Sequence, residues 1–124
     1  MRLREDCNYI VARAIQAVQP DTAVRRALEG KAFACGRVIL IAIGKAAWSM
    51  AHAARQALGD RIGGGMVITK YGHAMGDIPG LTIAEAGHPV PDENSFRATE
   101  AALALTAGLT ADDTVLLLIS GGGS

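Results

Sequence analysis

The sequence predicts an α/β domain built on a mainly parallel sheet. Three observations carry this reading. Aliphatic runs alternate along the chain with segments of helical period, which implies βαβ units. Half of the 124 residues are hydrophobic, yet only 4% are aromatic. The core is therefore Ala, Val, Ile and Leu, the composition of strands covered on both faces. Glycines and polar residues follow the aliphatic runs, where an open α/β sheet presents its ligand loops. At this length the chain holds at most one domain.

The elements follow in order. Cys7, Ile10, Val11, Ala14, Ile15 and Val18 recur at helical spacing and form one apolar face. Pro20 ends that helix. Asp21 is placed to cap a second, short helix, with Val24, Ala27 and Leu28 inward and Gly30 as its stop. Val38 to Ile43 is an uninterrupted aliphatic run and reads as a strand buried on both faces. Lys45 to Leu58 reads as a helix with Ala47, Met50, Ala51, Ala54, Ala57 and Leu58 on one face, stopped by Gly59. Met66 to Thr69 is a second strand after three glycines. Leu81 to Ala86 is a third, more alternating and so nearer an edge. Asp92 caps a helix reaching about Ala107, with Ala98, Ala101, Ala102 and Leu105 inward. Val115 to Ile119 reads as a last buried strand. Trp48 and Phe96 read as packing residues, and His52 as solvated.

The last strand runs into Ser120-Gly121-Gly122-Gly123-Ser124. No helix follows in this sequence. Four strands are also fewer than the about five or six of a doubly wound domain. Both features read as a truncated domain.

Charge and cysteine content narrow the function classes. The formal net charge is zero, so no basic surplus points to nucleic acid. Cys7 and Cys35 lack the spacing of a metal site and read as reduced, half-buried thiols. No stretch approaches the roughly 18 apolar residues of a membrane span. The charged N-terminus, Met1 to Asp6, has no signal-peptide apolar region. The expectation is a cytoplasmic protein, with a homodimer left open.

Four loops at the strand ends carry candidate chemistry. In Ile43-Gly44-Lys45-Ala46-Ala47, Gly44 permits a sharp turn and Lys45 sits at a helix start. The helix dipole disfavours a cation there, so Lys45 calls for an anionic ligand as its reason; the competing reading is a solvated side chain. The spacing matches neither GxxxxGK[ST] nor GxGxxG. In Thr69-Lys70-Tyr71-Gly72-His73, Lys70 and His73 suit an acidic ligand or a solvated loop equally. In Gly87-His88-Pro89-Val90-Pro91-Asp92, two prolines stiffen the loop that carries His88. A single His of this kind is more often structural than catalytic. The terminal Ser120-Gly121-Gly122-Gly123-Ser124 suits close backbone approach to a phosphate, or a flexible linker.

Taken together, these four loops resemble the ordered signatures of the glycerate 2-kinase family, the MOFRL-type glycerate kinases often labelled hydroxypyruvate reductases. The resemblance covers nearly the whole chain and is most specific from Val38 onward. It implies a Rossmann-like three-layer α/β/α fold, with residues 1–124 as the N-terminal part. The rest of that domain and a C-terminal domain would be absent. It implies phosphorylation of D-glycerate at the 2-hydroxyl with ATP and a divalent metal, Mg²⁺. Lys45 matches the active-site Lys, and Ser120, Gly121, Gly122, Gly123 and Ser124 match a ligand-binding loop. Gly44, Lys70 and His88 join them as substrate- or phosphate-binding candidates. One departure is Ala42, where the family commonly has Gly. No carboxylate of the 124 residues stands out as a metal ligand, so the metal site is unknown, and the fragment alone is expected to be inactive.

Two other functions compete. A NAD(P)-dependent hydroxypyruvate reductase would need GxGxxG after a strand and an acidic residue about 20 positions on, and neither is present. A non-catalytic anion- or phosphosugar-binding module is the third reading.

Overall fold

The computed structural model describes residues 2–121. In chain order the elements are α1 (Arg2–Ala17), α2 (Pro20–Leu28), β1 (Val38–Ile43), α3 (Ala47–Leu58), β2 (Ile62–Lys70), β3 (Thr82–Ala86), α4 (Glu93–Leu105) and β4 (Thr114–Ile119). The four strands form one sheet in the order β3-β2-β1-β4, every neighbouring pair parallel. The expected α/β class is thus observed, with the third strand at an edge as its alternation suggested.

Why the sheet is aliphatic is visible at its centre. β1 pairs on both sides and has helices above and below, so Val38, Leu40 and Ala42 are fully buried. Leu40 and Ala42 pack with Val24, Leu28, Met50, Ala51 and Ala54 of the α2–α3 layer. Ile39 and Ile41 face the other way, against Met66, Ala98 and Ala102 under α4. Alternation at period two sends successive residues into two cores, which is why the run has no polar break.

The β2–β3 connection departs from the helix-per-crossover pattern. Residues 71–81 pass over the α3 side without a helix. Ile78 is buried in the α3-side core. Trp48 Nε1 donates to the Gly76 carbonyl (2.8 Å) and Arg55 Nε to that of Pro79 (2.9 Å). A buried apolar anchor and two side-chain donors replace the packing a helix would supply.

Several local expectations are corrected. α1 forms as predicted, but none of its residues is buried, and Ile10, Val11 and Ile15 lie exposed. Periodicity identifies which face is apolar; it does not say what the face meets. Pro20 opens α2 at its first position rather than Asp21 capping it, since proline's missing N–H costs nothing there. Asp21 instead pairs with Arg25 one turn on. Ala27, Ala57 and Ala101 are exposed, while Ala53 is buried. β4 is not buried: it is the second edge of the sheet, with Leu117 and Ile119 just over half exposed. Phe96 is exposed. His52 is half-buried and stacked on Trp48, ring centroids 4.9 Å apart. Cys7 and Cys35 are free and exposed. No helix among the described residues is long and apolar enough to cross a membrane.

Candidate active site

The order β3-β2-β1-β4 places the chain reversal between β1 and β4, the switch point beside which open α/β sheets bind ligands. All four carboxyl ends lie on one rim, so the loops after β1, β2 and β3 converge there. They enclose a cavity of about 200 Å³. Its wall includes Gly44, Lys45, Thr69, Lys70, Gly87 and His88, with Ser95 and Thr99 contributed by α4.

The β1 loop is held from three sides. Gly44 has φ 114°, a region that L side chains rarely adopt. A Cβ there would also overlap Ser120 Oγ. The Gly44 N–H donates to the Ile68 carbonyl (3.0 Å), tying the loop to β2. Lys45 is not inside the helix as its position suggested. α3 begins at Ala47 with Ala46 as its cap residue, so Lys45 occupies the turn just before it. Its carbonyl accepts from Thr69 Oγ1 (3.4 Å) and lies 3.3 Å from His73 Nδ1. With the backbone fixed this way, the exposed Lys45 forms part of one wall of the cavity.

Lys70, half-buried at the end of β2, provides the second ammonium. His88 stands on the β3 loop, where the His88–Pro89 peptide is cis. That loop closes on Asp92, which caps α4 as expected. Asp92 accepts from the Ser95 N–H (3.1 Å), and the Asp92 N–H donates to Ser95 Oγ (3.0 Å), a reciprocal capping box. Gly87 lies so close that an added Cβ would stand 2.5 Å from the Val90 carbonyl.

Tyr71 joins the two loops. Its hydroxyl donates to Asp92 Oδ2 (2.6 Å) and accepts from Asn94 Nδ2 (2.8 Å). The Tyr71 hydroxyl, assisted by the Gly87 and Ser95 N–H groups, holds the Asp92 carboxyl at about 2. The same bond raises the Tyr71 hydroxyl above its ordinary value. Asp92 is therefore a fixed anion committed to architecture, not a proton acceptor for a ligand.

The donor set can bind an anion. Lys45, Lys70 and His88 line the cavity and no lining residue is a carboxylate, while the hydroxyls of Thr69, Ser95 and Thr99 are directed at the Lys45 carbonyl, Asp92 Oδ1 and the Ser95 carbonyl. Among the described residues no group of three or more His, Cys, Asp or Glu could hold a metal ion. These residues do not fit Mg²⁺.

The structure thus brings together Gly44, Lys45, Lys70 and His88. Ser120 is adjacent but turned inward, its hydroxyl accepting from the Ala46 N–H (3.1 Å). Gly121 follows at φ 76° outside the cavity wall. Gly122, Gly123 and Ser124 lie outside the described residues. Sequence reasoning assigned nothing to Thr69, Tyr71, Ser95 or Thr99. The capping signal Asp92-x-x-Ser95 was available for Ser95; the others become visible only once the loops meet.

A family model described as "Domain of unknown function (DUF4147)" matches residues 6–124. The D-glycerate 2-kinase of Thermotoga maritima is 53% identical over 115 residues, covering 93% of this chain and 27% of that protein. The glycerate 2-kinase of Pyrococcus horikoshii is 38% identical over 134 residues, covering 100% of this chain and 30% of its own. A crystal structure of glycerate kinase from T. maritima superimposes with a TM-score of 0.90 at 50% identity, covering 98% of this chain and 29% of that one. The chain spans about three tenths of the length of these relatives.

Proposed function

We propose, from the premise that the chain belongs to the DUF4147 family, the N-terminal part of the MOFRL-type glycerate kinases, that its full-length protein transfers phosphate from ATP to the 2-hydroxyl of D-glycerate. The observation that carries this reading is the convergence of Lys45, Lys70 and His88 on one cavity at the carboxyl rim of the sheet. Phosphoryl transfer needs mainly positioning and neutralisation of charge. Lys45 and Lys70 supply the charge, and the Thr69 bond to the Lys45 carbonyl supplies the positioning.

The cavity, about 200 Å³, is partly open on one side. In this reading Lys45 and Lys70 bind the glycerate carboxylate or the transferring phosphoryl group, and His88 orients the substrate through a loop stiffened by two prolines. The described residues offer no carboxylate cluster for Mg²⁺.

The test uses the full-length protein. ADP release that depends on both D-glycerate and ATP supports the kinase. NADH loss with hydroxypyruvate, and no ADP, would replace it with the reductase. Binding of glycerate or inorganic phosphate without turnover would leave an anion-binding module.

A further inference from the structure

The hydroxyl of Ser120 belongs, by sequence, to a loop suited to phosphate. Its geometry assigns it elsewhere. Ser120 Oγ accepts the Ala46 N–H at 3.1 Å and lies 3.4 Å from the Ile43 carbonyl oxygen. The Ser120 N–H also donates to the Ile43 carbonyl at 3.0 Å, the last rung of the β1–β4 ladder. A hydroxyl has one proton to give. A phosphate oxygen needs a donor, and this hydroxyl already lies within reach of the Ile43 carbonyl.

Both partners flank Lys45. Ile43 is the last residue of β1, and Ala46 is the cap residue of α3, which has no side-chain cap of its own. Between them Gly44 turns at φ 114° with Ser120 Oγ filling the space a Cβ would take. Ser120 therefore caps from another strand the turn that presents Lys45. Ala46 N–H would otherwise lose this acceptor at a half-buried position.

We infer that Ser120 is a positioning residue that fixes the Lys45 turn across the β1–β4 switch point, so that the end of β4 and the Lys45 loop move as one unit. This rests on the assignment of Lys45 to the glycerate kinase site. It differs from that assignment by giving the serine hydroxyl to the protein rather than to the ligand.

The experiment compares Ser120→Ala, Lys45→Ala and the double variant in the full-length protein, reading ADP release against D-glycerate and against ATP. Losing one hydrogen bond to a backbone N–H predicts a fall of about five- to tenfold in kcat/KM for glycerate. The KM for ATP should stay within about twofold. Because Ser120 acts through Lys45, the serine change should cost nothing further in the Lys45→Ala background, the non-additivity expected of coupled residues. Amide hydrogen exchange gives a readout independent of activity: exchange at Ala46 should accelerate in Ser120→Ala. A rise in the KM for ATP alone, additive losses, or unchanged Ala46 exchange would each overturn the inference. Full activity in Lys45→Ala would instead sink the site assignment itself, and Ala46 exchange would still report on Ser120.

Discussion

Replacing Lys45 by Ala in the full-length protein separates a chemical role from a structural one, because the structure gives the side chain no structural work. Lys45 is exposed and makes no ion pair among the described residues. What holds the turn is backbone: the Lys45 carbonyl to Thr69 and the Ala46 N–H to Ser120. Alanine keeps both. A surface substitution of this kind changes stability by about 0.5 kcal/mol or less. Loss of one electrostatic contact to a transferring group typically costs about 10²–10³ in rate, roughly 2.7–4 kcal/mol. The expected result is a fall of at least about 10²-fold in kcat/KM for glycerate with an unchanged thermal midpoint. Lys45→Arg should also be impaired, since a planar guanidinium and a compact ammonium differ in reach and fit in so small a cavity. The assay is coupled ADP release over a glycerate series, beside a thermal melt of each variant. Near-normal turnover in Lys45→Ala would remove the residue from the site. A large drop in the melting midpoint alongside lost activity would show that the side chain has structural work after all.

Other outcomes follow from the same geometry. His88→Ala should hurt less than Lys45→Ala and act mainly on the glycerate KM, because His88 lines the cavity on a stiffened loop; a collapse of kcat at constant KM would make it a participant in the chemistry. Asp92 and Asp113 are both held at about 2 in the fold, below an ordinary 3.8, the first chiefly by the Tyr71 hydroxyl and the second chiefly by the Thr110 and then the Arg37 N–H groups. Lowered values mean that the ionised forms stabilise the fold fully above about pH 4, and that this contribution is lost as pH falls toward 2. Thermal melts between pH 2 and 5 should show the loss, and Asp113→Asn should flatten it; an unchanged slope would count against the assignment. The 124-residue chain by itself should release no ADP from D-glycerate and MgATP above a Lys45→Ala control, since its described residues supply an anion cavity and no metal cluster. Turnover above that control would show that these residues suffice.

What was legible in the sequence depended on how local its physical cause was. β1 could be read because a strand buried on both faces must be apolar at every position. The Asp92 cap could be read because capping is settled within four residues. The site loops could be placed because every strand of a parallel sheet ends on the same rim, so Lys45, Lys70 and His88 fall on one edge of the sheet once the alternation is granted, and the order β3-β2-β1 brings them together. Errors arose where a residue's fate depends on a distant partner. α1 shows its apolar face in sequence, but its exposure depends on what packs there. β4 has the same aliphatic character as β1, yet lies at an edge with its side chains alternately half-buried and exposed. Ser120 illustrates the point most sharply. Its position after a strand and before glycines suggests a phosphate ligand, and only the β1–β4 register brings its hydroxyl against Ala46, 74 residues away. Lys45, whose functional reading rested on a helix position it does not hold, still lines the cavity, because the turn before α3 is fixed by Gly44, Thr69 and Ser120 together.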